Sequence, residues 1–194
     1  MKKSLIGIAS ALVLSIPLQS MAELVTVDAL ANSTNSGTGT GAQVLTPFTI
    51  GESFAVTVDP SQIWSAGVLP RWSNADGLTG NLYATGADIS GQPSGTLIGQ
   101  DFGLLNLGGL KAPFGSLVGE WGNSGTYFLI GTNYTGTAKG TSLELYYFDT
   151  YTPDNTGRIV ANVTAVPEPK TYGMMLIGLG MIGFMARRRK KNQV

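Results

Sequence analysis

Ser53-Phe-Ala-Val-Thr-Val-Asp59 alternates in side-chain character, with Phe54, Val56 and Val58 falling on one face and Ala55 and Thr57 on the other. A period of two residues marks a half-buried β-strand. The stretch 158–166 repeats the pattern: Ile159, Ala161 and Val163 point one way, and Arg158, Val160, Asn162 and Thr164 the other. Further strands are predicted at 24–28, 44–50, 116–120, 127–131 and 143–148, where Thr, Val, Tyr and Phe are enriched and Gly and Asn punctuate the gaps. No segment between them carries a convincing amphipathic helical period. Short strands with frequent turns predict an all-β domain, an antiparallel β-sandwich or jelly roll. Residues 32–41 are rich in Ser, Thr, Gly and Asn and read as a flexible loop. Residues 78–113 form a Gly-rich insertion, long enough to cover a site or carry a small hairpin.

Composition narrows the chemistry. The 194 residues include no Cys and no His, so there is no disulfide framework, no thiol nucleophile, no imidazole base and no usual zinc ligand set. The 12 basic and 12 acidic residues cancel formally, but they are not mixed. Lys2 and Lys3 open the chain, and Lys170, Arg187, Arg188, Arg189, Lys190 and Lys191 lie near its end. Between them, 23–166 holds four bases (Arg71, Lys111, Lys139, Arg158) against eleven acids, a net charge of 4 − 11 = −7. Such a domain repels nucleic acid. Basic, apolar ends around an acidic middle predict an exported domain between two processing or membrane signals.

The start reads as a signal peptide over 1–22. Lys2 and Lys3 supply the positive region, 5–18 is almost wholly apolar, and Ser20-Met-Ala22 offers small residues to signal peptidase, with cleavage after Ala22. That implies the Sec machinery as a partner. At the other end, a transmembrane helix is predicted over 171–186, rich in Gly and Met, and is followed by the basic tail 187–191. At about 1.5 Å per residue it reaches roughly 24 Å, so flanking groups must snorkel or the bilayer must thin. The basic tail keeps its side cytoplasmic and turns the acidic domain outward.

Val166-Pro167-Glu168-Pro169, the Gly-rich apolar run with Leu176, Gly178 and Leu179, and the cluster Arg187, Arg188, Arg189 occur in the order of a known signal. Together, over 165–194, they resemble the PEP-CTERM sorting signal of Gram-negative bacteria. The resemblance implies processing by an exosortase near 167–169 after transient anchoring in the inner membrane. It also implies delivery to the cell surface or extracellular matrix of a species that makes exopolysaccharide. The two prolines hold the cut site extended and non-helical, open to a protease beside the bilayer.

The densest polar stretch is Phe148-Asp-Thr-Tyr-Thr-Pro-Asp-Asn-Thr-Gly157, set between two predicted strands. Asp149 and Asp154 supply carboxylates, Asn155 an amide and the turn its carbonyls, an all-oxygen set of the kind Ca²⁺ takes. The spacing is not that of an EF-hand, and a plain Asp/Asn turn has the same composition. Residues 50–67 (through Trp64), Asn74-Ala-Asp-Gly77, Gly115-Ser-Leu-Val-Gly119 and Phe128-Leu-Ile-Gly131 precede this loop in order. With it they resemble the bacterial galactophilic calcium lectin family, a galactose-binding-like β-sandwich, over most of 44–164. The resemblance implies a Ca²⁺ held by the side chains of Asp149, Asp154 and Asn155. Backbone carbonyls of Thr152 and of a residue at or beside Ala66 complete its protein ligands, and sugar hydroxyls close the coordination. The segment that carries sugar-contacting His and Gln in that family is replaced here by 74–77 and the insertion. The sugar-contact candidates are therefore Trp72, Asn74, Asp76 and Thr150. Core packing is the default reading for Trp64, Trp72 and Trp121, and of the three Trp72, flanked by Arg71 and Asn74, is the best candidate to stack a sugar. Glu52, Glu120 and Glu144 read as solvent-facing strand positions, and no catalytic group is assigned.

Two functions compete at this point. One is a calcium-dependent carbohydrate-binding surface protein that meets exopolysaccharide or galactose-type glycans. The other is a non-catalytic matrix protein in which calcium only braces a cysteine-free fold.

Overall fold

The computed structural model describes residues 22–166 and 176–182. The predicted signal peptide apart from Ala22, the residues Pro167, Glu168 and Pro169, and Arg187, Arg188 and Arg189 lie outside them. In chain order the strands are β1 (Ala22–Asp28), β2 (Ala42–Gln43), β3 (Ser53–Val58), β4 (Trp64–Ser65), β5 (Trp72–Ser73), β6 (Leu82–Tyr83) and β7 (Leu97–Gly99). They continue as β8 (Leu104–Leu107), β9 (Leu110–Pro113), β10 (Leu117–Trp121), β11 (Tyr127–Leu129), β12 (Asn133–Thr137), β13 (Leu143–Tyr147) and β14 (Thr156–Val166).

Two antiparallel sheets form the body. One runs β12-β3-β14-β4-β5, with β1 paired to β14; the other runs β11-β10-β13-β2. The alternation that predicts these strands also builds the core. Val25, Val27, Phe54, Val56, Val58, Ile159, Ala161 and Val163 of the first sheet meet Leu117, Leu143, Leu145 and Tyr147 of the second in one buried cluster. Burying each such side chain contributes about 1.5–3 kcal/mol, which is how the domain holds without a disulfide. Ala22 is the first residue of β1 and pairs with Thr164, so the predicted processing point falls at the edge of the sheet.

The second sheet is buried on both faces. Val118 and Tyr146 point away from the main core into a second cluster with Tyr127, Phe148, and Leu105 and Ala112 of the β8–β9 hairpin. That hairpin and the β6–β7 hairpin are what the 78–113 insertion contains. They correct the reading of Glu120 and Glu144 as solvent-facing. The two are direct cross-strand partners on β10 and β13 and are only 3% and 4% exposed. Period two put them on the face away from the main core, and the insertion then covered that face. Their oxygens are satisfied locally. Glu144 accepts from the Tyr146 hydroxyl at 2.6 Å and from Gln43 Nε2 at 2.9 Å, and Glu120 accepts the Gly125 N–H.

Two other expectations fail for identifiable reasons. The predicted strand 44–50 is reduced to Ala42–Gln43 just before it. Glu23 takes the N–H groups of Leu45 and Thr46 at 2.7 and 2.8 Å, Glu52 takes that of Thr49 at 2.9 Å, and Pro47 has none to give. Side-chain carboxylates have captured the donors a ladder needs. The stretch 32–41 is not a loose linker, since Ser33 and Thr34 are buried and bonded into the loop after β13. At the C-terminal end, 176–182 is helical with Leu176, Ile177, Leu179, Met181 and Ile182 exposed. Among the described residues no helix is long and apolar enough to cross a membrane.

Candidate functional site

The β13–β14 connection crosses from the second sheet to the first, and the chain on both sides of it is anchored. Thr34 Oγ1 donates to the Asp149 carbonyl at 2.6 Å, and Ser36 Oγ donates to that of Thr150 at 3.1 Å. At the far end Gly157, with φ of +90°, pairs with Trp64 of β4. A Cβ there would stand 2.9 Å from the Trp64 Cα, so the close approach requires glycine. Trp64 is fully buried, and its indole Nε1 donates to the Gly115 carbonyl at 2.8 Å. The turn after β4 is thereby held beside the β13–β14 loop. Gly67, φ +112°, lies against Asp154: an added Cβ would meet Asp154 Oδ2 at 2.3 Å.

Between these two loops is a cleft of about 250 Å³, walled by Asp149, Thr150, Tyr151 and Asp154 on one side and Ala66 and Arg71 on the other. Phe102 and Phe114 close a third side. Asp149 is 5% exposed. Burial raises its carboxyl above the ordinary value, and repulsion from Asp154 adds to this; the N–H groups of Thr150 and Tyr151 and the Asn155 amide work the other way. Its Oδ1 accepts the Thr150 N–H at 2.7 Å. Asn155, also 5% exposed, donates Nδ2 to the Ala29 carbonyl at 3.2 Å.

Three buried polar atoms are left without a partner among the described residues: Asn155 Oδ1, Thr152 Oγ1 and the Tyr147 hydroxyl. Unmet buried oxygens are costly, about 1–3 kcal/mol each, and native proteins keep few of them. Two of the three belong to the Asp149–Asn155 loop. The Tyr147 phenol feels Asp149 and Asp154; burial pushes it well above its ordinary value, and the two carboxylates push it further.

These placements bear on each residue singled out by sequence. Asp149, Thr150, Asp154 and Ala66 share the cleft. Thr152 and Asn155 lie on the loop that forms one wall, and the Thr152 carbonyl accepts the Asn155 N–H at 3.0 Å. Asn74, Asp76 and Trp72 are not among the residues that wall the cleft. Asp76 is exposed but its carboxylate binds Thr132, through the N–H at 2.7 Å and the hydroxyl at 3.0 Å. Asn74 Oδ1 accepts the Asp76 N–H at 2.9 Å. Trp72, the best stacking candidate of the three, is half-buried against Ile63, Ala84 and Ile98, because the β6–β7 hairpin brings Ala84 and Ile98 across it.

Sequence reasoning missed Thr34, Arg71 and Phe102. Thr34 lay in a stretch that reads as linker, and Phe102 lay inside the insertion. Arg71 carried one signal, as one of only four bases among 23–166.

Residues 165–190 match the PEP-CTERM protein-sorting motif. The chain ends in a PEP-CTERM sorting signal. The PEP-CTERM match begins one residue before the end of β14, so the folded domain runs directly into the signal. No curated protein matches the chain. Among solved structures it is similar to the EclA N-terminal domain, a PllA-like lectin, at 16% identity and a TM-score of 0.42, over 76% of this chain and 98% of that one.

The cleft is lined by the carboxylates of Asp149 and Asp154, while the unpartnered Asn155 Oδ1 and Thr152 Oγ1 are buried in the same loop. Among the described residues no group of three or more His, Cys, Asp or Glu that could hold a metal forms. Oxygen donors from a loop with mixed charge suit Ca²⁺ far better than zinc or a redox metal.

Proposed function

We propose that this is an exported surface protein, sorted and trimmed by an exosortase, whose β-sandwich binds carbohydrate through a Ca²⁺ ion at the Asp149–Asn155 loop. The observation that carries the reading is the pair of unpartnered buried oxygens, Asn155 Oδ1 and Thr152 Oγ1, on the same loop as the buried Asp149 carboxyl. A cation at that loop would satisfy them and offset the buried charge at once. Asp149, Asp154 and Asn155 would hold it by side chains, with oxygens from Thr152 and the Ala66 turn. Asp149 and Asp154 also line the open cleft, and vicinal sugar hydroxyls are hard oxygen ligands of the kind Ca²⁺ accepts. The PEP-CTERM signal supports the setting, a surface in contact with extracellular polysaccharide.

The test is glycan-array binding of the purified protein, with calcium and with chelator. Calcium-dependent binding to a defined set of sugars is the expected result. A calcium-dependent rise in melting temperature with no sugar bound in any condition would leave the alternative, a matrix protein braced by the ion.

A further inference from the structure

Arg71 is the one cation in a cleft whose other charges are Asp149 and Asp154, yet it pairs with neither. Its guanidinium carbon sits 4.3 Å from the centroid of the Phe102 ring, and Nη1 donates to the Ala66 carbonyl at 3.5 Å. Among the described residues no carboxylate lies within ion-pair reach of it. Phe102 is itself held edge-on by Phe114, centroid to centroid 5.2 Å, and remains 45% exposed. The aromatic pair therefore supports a flat guanidinium and leaves most of its five N–H donors free.

A guanidinium fixed by stacking presents two parallel donors, the geometry that matches a carboxylate. The charge count favours the same class of ligand. Asp149 and Asp154 against Arg71 sum to −1, and a bound Ca²⁺ turns that to +1. The loaded cleft then attracts an anion within an acidic surface. Tyr151, which also lines the cleft, is 61% exposed and brings an aromatic ring of the kind that packs on the C–H surface of a sugar.

We propose that Arg71 reads a carboxylate on the bound sugar, so that the site takes a uronate-bearing polysaccharide in preference to a neutral galactoside. This rests on the calcium-dependent carbohydrate reading above. The insertion would then set specificity, since it delivers Phe102 and with it the pose of Arg71.

The experiment is isothermal titration of the purified protein with three probes of equal length: an oligogalacturonate, its methyl ester and a neutral galacto-oligosaccharide. Free calcium is held constant, and a parallel series contains chelator. The acid is expected to bind about 10- to 100-fold more tightly than the ester, the range of one charge-assisted contact. Arg71→Met removes that preference, Arg71→Lys recovers part of it, and Phe102→Ala weakens it while leaving the charge in place. The calcium-induced rise in melting temperature persists in all three variants, which shows that they fold and hold the ion. Equal affinity for acid and ester, or an undiminished preference in Arg71→Met, overturns the inference while the carbohydrate reading stands. No calcium-induced rise and no binding of any probe overturns both.

Discussion

Asp149→Asn separates the two effects of a buried carboxylate in this cleft. Asn has the same shape and keeps an oxygen to accept the Thr150 N–H, now at 2.7 Å from Asp149 Oδ1. It removes the charge, and it turns the second carboxylate oxygen, an acceptor near the Tyr151 N–H and the Asn155 amide, into an NH2 donor. Burial raises the Asp149 carboxyl above its ordinary value. A raised folded-state value contributes stability that is fully present below the unfolded value, about 3.9, and is lost as pH rises through the folded value. At neutral pH the wild type therefore carries a buried charge that its hydrogen bonds from Thr150, Tyr151 and Asn155 only partly offset. In chelator at pH 7, Asp149→Asn is expected to melt above the wild type, and the gap is expected to close on acidification below about pH 3.9. Calcium reverses the order. At a free concentration 100-fold above its Kd, an ion bound only by the folded state adds about 2.7 kcal/mol. For a domain of this size 1 kcal/mol moves Tm by about 3 °C, so the wild type is expected to gain roughly 8 °C. The Asn variant gains little. Calorimetric melts with and without calcium at pH 7 and pH 3.5 give all four values. A variant that melts below wild type in chelator refutes the charge argument, and one that responds to calcium as wild type does refutes the ligand assignment.

Three further outcomes follow from the same structure. Gly67→Ala places a Cβ 2.3 Å from Asp154 Oδ2 at a φ of +112°; it is expected to cost about 1–3 kcal/mol of stability and to shrink the calcium-induced melting shift. An unaltered shift would separate Asp154 from the ion. Glu144→Ala strips the acceptor from the buried Tyr146 hydroxyl, at 2.6 Å, and from Gln43; denaturant melts are expected to show a loss of about 1–3 kcal/mol, with Glu144→Gln recovering most of it. A more stable Glu144→Ala would mean that repulsion from Glu120 outweighs those bonds. Deleting 167–194 is expected to redirect the protein in cell fractionation without altering the melting of the domain, and unchanged fractionation would sink the sorting assignment.

The strands whose register the core depends on were legible in advance. Phe54, Val56 and Val58 on β3, and Ile159, Ala161 and Val163 on β14, alternate in the chain as they do in the sheet. The stretch 44–50 looked equally strand-like, but Glu23 and Glu52 took the backbone donors of Leu45, Thr46 and Thr49, and that competition involves a residue some twenty positions upstream. Glu120 and Glu144 obeyed their period and were still misplaced, because burial of an outer face depends on what else arrives to cover it. For the candidate site, the loop with Asp149, Asp154 and Asn155 stood out by composition. The clamp by Thr34, the aromatic seat of Arg71 and the position of Trp72 did not.

The sequence by itself determined what is local: β-strands from a period of two, an all-oxygen donor loop from its composition, and a sorting signal from three short blocks in order. It also excluded thiol and imidazole chemistry outright, since no Cys or His is present. Only the tertiary structure decided which donors lack partners and what faces them. Asn155 Oδ1 lacks a partner in a side chain whose Nδ2 is fixed on the Ala29 carbonyl, just past the end of β1. Arg71 faces the cleft because the insertion folded back and set Phe102 beneath it. Satisfaction and burial are sums over long-range neighbours, and no window of sequence contains those neighbours.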